Sequence, residues 1–201
     1  MLKLNRRALI ALAAAMASAP ALAQDATAPG DFSIGSPDAP VKIIEYASFT
    51  CPHCANFHAA VFQDLKRDYI DTGKVHFTLR EVYFDRYGLW AGMVARCGGD
   101  MRYYGITDML FEQQADWAGS DDPMQVLANL RTIGVAAGLE GTAIDACLND
   151  QTMAEALVTQ FETNMKADAV KGTPTLFVNG TMLSNLTYDD LKAVVDAELA
   201  K

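Results

Sequence analysis

Positive charge is what this sequence has least of. Its 201 residues carry 16 Lys and Arg against 25 Asp and Glu, a formal net charge of −9. So acidic a chain has no electrostatic footprint for nucleic acid or for anionic membrane surfaces, both of which select basic patches. Long apolar runs are equally scarce. Apart from one stretch near the start, nothing approaches the roughly 20 apolar residues that a bilayer-spanning helix needs. There is no internal repeat, and no low-complexity tract beyond that Ala-rich start. Only four cysteines are present, Cys51, Cys54, Cys97 and Cys147. A zinc site usually needs two close cysteine pairs, or one pair with a histidine pair. Here Cys97 and Cys147 are isolated, and His53 and His58 near the first pair are a weak substitute.

The exceptional stretch begins with Lys3, Arg6 and Arg7, continues as an apolar run from Ala8 to about Pro20, and closes on Ala21-Leu22-Ala23. A positive end, a short apolar middle and an A-x-A exit describe a secretory signal peptide over residues 1–23, cleaved near Ala23. Three bases and no acid leave with it, so the exported chain is more acidic still. Its length suits one domain, or one domain with an insertion, and it is not itself membrane-embedded.

Export implies an oxidising compartment, in which disulfides persist. Four cysteines allow three connectivities. Cys51 and Cys54 are two residues apart and pair most economically with each other, which leaves Cys97 with Cys147. The second bridge closes a loop of about 50 residues, worth up to roughly 4 kcal/mol by the chain-entropy argument, and reads as a staple. The first closes a ring too small to add much stability, so it reads as a working pair.

The apolar pattern gives α/β order. Pro40–Phe49 is rich in β-branched and aromatic residues and predicts a buried strand. Thr50-Cys51-Pro52 opens a helix, because proline has no partner to lose in the first turn. That helix continues through Phe57, Val61, Phe62 and Leu65 and closes before Gly73. Lys74–Val82 predicts a second strand. From about Tyr87 to Val170 the spacing is helical throughout. Gly98-Gly99 ends one helix at Cys97, and a second runs from about Asp100 to Gln114. Asp122-Pro123 caps a third. Thr175–Val178, Asn179-Gly180 and Thr181–Leu183 predict a hairpin, since Asn-Gly supplies the positive φ of a two-residue turn. Thr187 opens a last helix. Residues 24–30 read as a polar linker. Residues 24–86 and 171–201 thus form one α/β unit, and 87–170 an all-helical subdomain inserted into it.

In Cys51-Pro52-His53-Cys54 two intervening residues at a helix start let the sulfurs meet. The first thiol sits beside unpaired backbone N–H groups at the positive end of the helix dipole. Both favour thiolate over thiol, and a protonated His53 would add to them. Cys54, a turn deeper, is the resolving thiol. Whatever stabilises the reduced, charged form makes the disulfide form a better oxidant, so this arrangement points to donating disulfides.

Taken together, the signal peptide, the strand, Cys-Pro-His-Cys at a helix start, the helical insertion and Gly172-Thr173-Pro174-Thr175-Leu176-Phe177-Val178-Asn179-Gly180 resemble the DsbA family of periplasmic disulfide oxidases over essentially the whole exported chain. The resemblance implies a thioredoxin fold with an inserted helical subdomain. It implies that Cys51 is the attacked cysteine and Cys54 the buried one, and that Pro174 is a cis-proline against the disulfide. Thr173 would then offer backbone hydrogen bonds to an extended substrate, and Glu45 would be a buried acid beneath the site. Cys97 and Cys147 resemble the extra bridge of the alphaproteobacterial branch. The expected partners are reduced, extended polypeptides and a quinone-linked membrane oxidase resembling DsbB, with no cofactor and no metal. Three positions depart from the enterobacterial pattern. His58 stands where a second acid is usual, Leu79 (next to Arg80) where a lysine is usual, and Thr173 where valine precedes the proline. A same-fold reductase or isomerase is therefore the nearest alternative, and a peptide-binding chaperone without redox turnover a more distant one.

Overall fold

The computed structural model describes residues 29–184 and 186–201, so the segment read as a signal peptide lies outside the described residues. A five-stranded mixed sheet runs in the order β1-β3-β2-β4-β5. At its centre β2 (Val41–Ala47) lies parallel to β3 (Val75–Glu81), paired from Val41↔Val75 to Ala47↔Glu81. On its other side β2 runs antiparallel to β4 (Thr175–Val178). The edges are two three-residue strands, β1 (Phe32–Ile34) against β3 and β5 (Thr181–Leu183) against β4. Both faces of β2 are covered toward its C-terminal end, where the consecutive residues Glu45, Tyr46 and Ala47 are all buried. Residues 41, 43 and 47 face a large core with Leu65, Phe77 and Leu191, whereas Tyr46 packs with Val82 and Val170 on the opposite face.

The helix after β2 is irregular. Helix α1 (Pro52–Phe57) and the single turn α2 (Gln63–Leu65) alternate with π-helical turns at His58–Phe62 and Lys66–Ile70. Six helices then stand between β3 and β4: α3 (Arg86–Cys97), α4 (Asp100–Glu112), α5 (Gln114–Ala118), α6 (Pro123–Ala136), α7 (Gly141–Leu148) and α8 (Gln151–Ala167). Helix α9 (Tyr188–Leu199) closes the fold, its first turn fixed by a capping box between Thr187 and Asp190. This is a thioredoxin fold carrying a helical insertion. Among the described residues no helix is long and apolar enough to cross a membrane.

Local chemistry sets the boundaries. Asp85 accepts from the N–H groups of Tyr87 and Gly88 at the start of α3, and Asp122 from Met124 N at the start of α6. Asn179 and Gly180 adopt φ of 45° and 83° in the hairpin turn, as Asn-Gly predicts. Cys97 at the end of α3 is disulfide-bonded to Cys147 near the end of α7, with Cα atoms 6.0 Å apart. The insertion is bolted to the sheet by a buried ion pair. Arg96 of α3 grips both carboxylate oxygens of Glu81 in β3, through Nε at 3.0 and 2.8 Å and also through Nη2. Tyr103 of α4 donates its hydroxyl to the same carboxylate at 2.8 Å.

Two elements differ from the sequence-based expectation. Strand β1 lies just after the stretch read as linker, and α5 is a separate helix beyond the end expected for α4.

Candidate active site

Strand β2 ends at Ala47, and a tight turn, in which Cys51 N donates to Ser48 O at 3.1 Å, delivers Cys51 to the start of α1. Cys51 is the N-cap, in an extended conformation (φ −82°, ψ 116°), and its sulfur accepts from Cys54 N at 3.4 Å. Pro52 follows as the first helical residue, and the first turn holds no acidic side chain to oppose a thiolate. Both cysteines are thiols. Cys51 is partly exposed and Cys54 fully buried, so an external partner reaches only the first.

A distant segment completes this surface. The Thr173–Pro174 peptide bond is cis, and the Cys51 thiol donates to Thr173 O at 3.5 Å. The loop before β4 thus lies against the cysteine from 122 residues away. Beside it runs a groove of about 490 Å³ whose walls include His53, Phe57, Val61, Pro174, Leu186 and Tyr188. His53 is exposed at this rim.

Glu45 lies beneath. It is 3% exposed and sits across the sheet from Leu79 on one side and Leu176 on the other. Burial between these side chains, with a smaller contribution from charge at Cys51, pushes its carboxyl up to about 8. The Cys54 thiol is pushed up as well, first by burial and then by the charge of Glu45, with a hydrogen bond from Thr173 acting the other way. Leu79 therefore supplies apolar surface where a lysine would supply charge. Arg80 beside it turns to the opposite face and bonds Asp31, Asp168 and the Tyr46 hydroxyl at 2.8–2.9 Å.

His58 is buried in the first π-helical turn, stacked on Phe62 with centroids 4.7 Å apart and tilted against Phe111 at 5.0 Å. Its Nε2 lies 3.0 Å from Gln63 Nε2 and 2.9 Å from Asp108 Oδ1 of α4, the latter a close approach without hydrogen-bond alignment. Among the described residues no three His, Cys, Asp or Glu side chains come together to hold a metal ion.

The structure gathers Cys51, Pro52, His53, Cys54, Thr173, Pro174 and Glu45 at one end of the sheet, and leaves Cys97 and Cys147 in the helical insertion. Residues 27–197 match a family described as Thioredoxin. The crystal structure of Wolbachia pipientis alpha-DsbA1 is similar with a TM-score of 0.79 at 28% identity, covering 86% of this chain and 92% of that one.

The chain belongs to the DsbA family.

Curated relatives agree with the DsbA family assignment. A Rickettsia bellii protein, provisionally named a protein-disulfide oxidoreductase, is 33% identical over 83% of this chain. Disulfide bond formation protein D of Bacillus subtilis is 25% identical over 83% of this chain and 76% of its own length. The chain spans 63% of the Rickettsia bellii relative's length.

Two contacts around the cysteines carried no sequence signal. Gln114, first residue of α5, donates through Nε2 to Phe49 O at 2.7 Å and to Cys51 O at 3.0 Å. Thr50 donates its hydroxyl to Asp85 Oδ2 at 2.5 Å. Both reach across long sequence separations, and neither residue type is diagnostic where it stands.

Proposed function

We propose that this protein is a thiol–disulfide oxidoreductase working as a dithiol oxidase, which donates a Cys51–Cys54 disulfide to exported polypeptides. The observation that carries this reading is the asymmetry of the pair: an accessible N-cap Cys51 facing the cis Thr173–Pro174 loop, and a sealed Cys54 behind it. A substrate thiolate attacks Cys51 Sγ of the disulfide form. The Cys51–Cys54 bond breaks, and its electron pair leaves on Cys54. A second substrate thiolate then attacks the substrate sulfur of the mixed disulfide and displaces Cys51. The substrate has gained a disulfide, and the enzyme has gained two electrons as a dithiol. Only Cys51 is exposed to form the mixed disulfide.

Supporting roles follow from position. Pro52 starts the helix without an unpaired donor, and exposed His53 stands where a positive ring would favour the Cys51 thiolate. Thr173 and Pro174 present the backbone edge beside the groove to an extended chain. Glu45, protonated near neutrality, gives its proton to the Cys54 thiolate as the disulfide opens, and its carboxylate takes one back when the pair is reoxidised. The Cys97–Cys147 bridge is a staple of the insertion. Turnover requires reoxidation, for which the partner is a quinone-linked membrane protein resembling DsbB, and the site of action is the periplasm. Membership of the DsbA family supports the partner, and the N-terminal pattern of the sequence supports export.

The test pairs two assays. Refolding of reduced ribonuclease is expected to be accelerated by the oxidised protein, with little reduction of insulin by the dithiol. Efficient insulin reduction without ribonuclease oxidation would make it a reductase. Neither activity, with peptide affinity kept in Cys51→Ser, would make it a binding module.

A further inference from the structure

Gln114 enters the site from the helical insertion, 63 residues from Cys51 along the chain, and spends its amide on the active-site turn. The Phe49 carbonyl that it bonds has no backbone donor among the described residues. The Cys51 carbonyl already accepts from Cys54 N and Ala55 N, and Gln114 adds a third donor. One amide group therefore clamps the turn on both sides of Thr50.

Helix α5 does not need this contact to stay in place. Trp117, 1% exposed, donates its indole N–H to Leu110 O at 2.7 Å, and Asn129 donates to Asp116 O at 3.2 Å. The helix is anchored at its far end, and Gln114 is left to act on its neighbour.

We infer that Gln114 is a positioning residue that sets the redox poise of the cysteine pair; this deepens the oxidase reading above and rests on it. In the dithiol form the Cys51 sulfur accepts the Cys54 N–H, a contact that strengthens when the sulfur is ionised. That contact needs the Cys51 backbone held in its N-cap conformation, which Gln114 holds through the carbonyls of Phe49 and Cys51. Its two N–H dipoles also draw negative charge away from the peptide that bears the sulfur. The disulfide form carries no charge and gains less. Gln114 thus favours the reduced form, and so makes the disulfide form the stronger oxidant.

The test is the equilibrium in which two glutathione molecules reduce the disulfide to the dithiol and leave as glutathione disulfide. Gln114→Met keeps the length and loses the donor. Gln114→Glu places an acceptor against two carbonyls. Each variant is expected to lower the equilibrium constant for reduction roughly three- to tenfold, the range of one or two neutral hydrogen bonds, or about 15–30 mV. Unfolding of both redox forms is measured alongside, and the reduced form is expected to lose more stability than the oxidised one. An unchanged constant, or equal losses in the two forms, would reduce Gln114 to a structural contact and overturn the inference. Failure of both variants to fold would overturn it too, because α5 would then depend on Gln114 for its own placement. If the unaltered protein does not exchange with glutathione at all, the oxidase reading falls and takes this one with it. Exchange in the unaltered protein with no change in the variants sinks only the inference.

Discussion

Glu45 sits between Leu79 and Leu176 and keeps its proton to about pH 8, whereas an ordinary carboxyl of this type titrates near 4.5. Between those values the unfolded chain has released the proton and the folded chain has not, so stability falls as pH rises through the window and levels off above it. In Glu45→Gln that slope should vanish, and the variant should be the more stable protein at pH 8 by on the order of a few kcal/mol. Denaturant titrations of the dithiol form between pH 4.5 and 9 check it; a parallel decline in both proteins would refute it. Accessibility makes a second prediction. One equivalent of iodoacetamide on the reduced protein should label Cys51 and spare Cys54, read by peptide mapping, since only the first has exposed surface. At this scale the cysteine pair was legible in sequence because spacing and helix start act locally. The burial of Glu45 was not, since it depends on strands that meet it from 34 and 131 positions away. Only the family resemblance pointed to it.

Helices and strands were legible where their ends carry their own chemistry. Asp122-Pro123, Asn179-Gly180 and Thr187 with Asp190 each act through their own backbone, and each marks a boundary in the structure. Strand β1 has only three residues, too short for alternation to show. The break between α4 and α5 falls at Gln113 with neither glycine nor proline, and there the Trp117 indole satisfies a free carbonyl of the preceding helix end. The π-helical turns leave no mark in apolar spacing. Asp85 belongs to this scale because it caps α3 and holds Thr50 at once. Asp85→Ala is expected to cost about 1–2 kcal/mol in urea denaturation, the range for a lost N-cap. The bridge between α3 and α7 spans 50 residues. Removing it as Cys97→Ala with Cys147→Ala should cost at most about 4 kcal/mol and leave ribonuclease oxidation in place. Loss of that activity in a still-folded variant would mean the bridge does more than staple.

At the scale of the molecule, the sheet and its insertion are joined by several polar groups, among them the Arg80–Asp168 pair, the Tyr104 hydroxyl on the β1 and β3 backbone, and the more deeply buried Glu81–Arg96 pair. The Arg96 side chain is largely buried and Glu81 nearly sealed, with the Tyr103 hydroxyl completing the carboxylate's partners. A buried pair costs more to break than to remove. Arg96→Leu alone should therefore destabilise by about 3–5 kcal/mol, and Glu81→Leu with Arg96→Leu by clearly less. A double-mutant cycle in denaturant measures the difference, and additive losses would count against it. The arginine also donates to the carbonyl of Gly30, so it orders the chain leading into β1.

That leading segment ends in one of the two shortest strands, and β5 at the far edge is the other. A protein whose proposed clients are unfolded chains works among backbones looking for a strand to pair with. Every long unpaired edge would be a template for them, and for aggregation. With only three residues of β-structure on each rim, the sheet offers a passing chain almost nothing to extend, and adhesion is confined to the place where the chemistry is done.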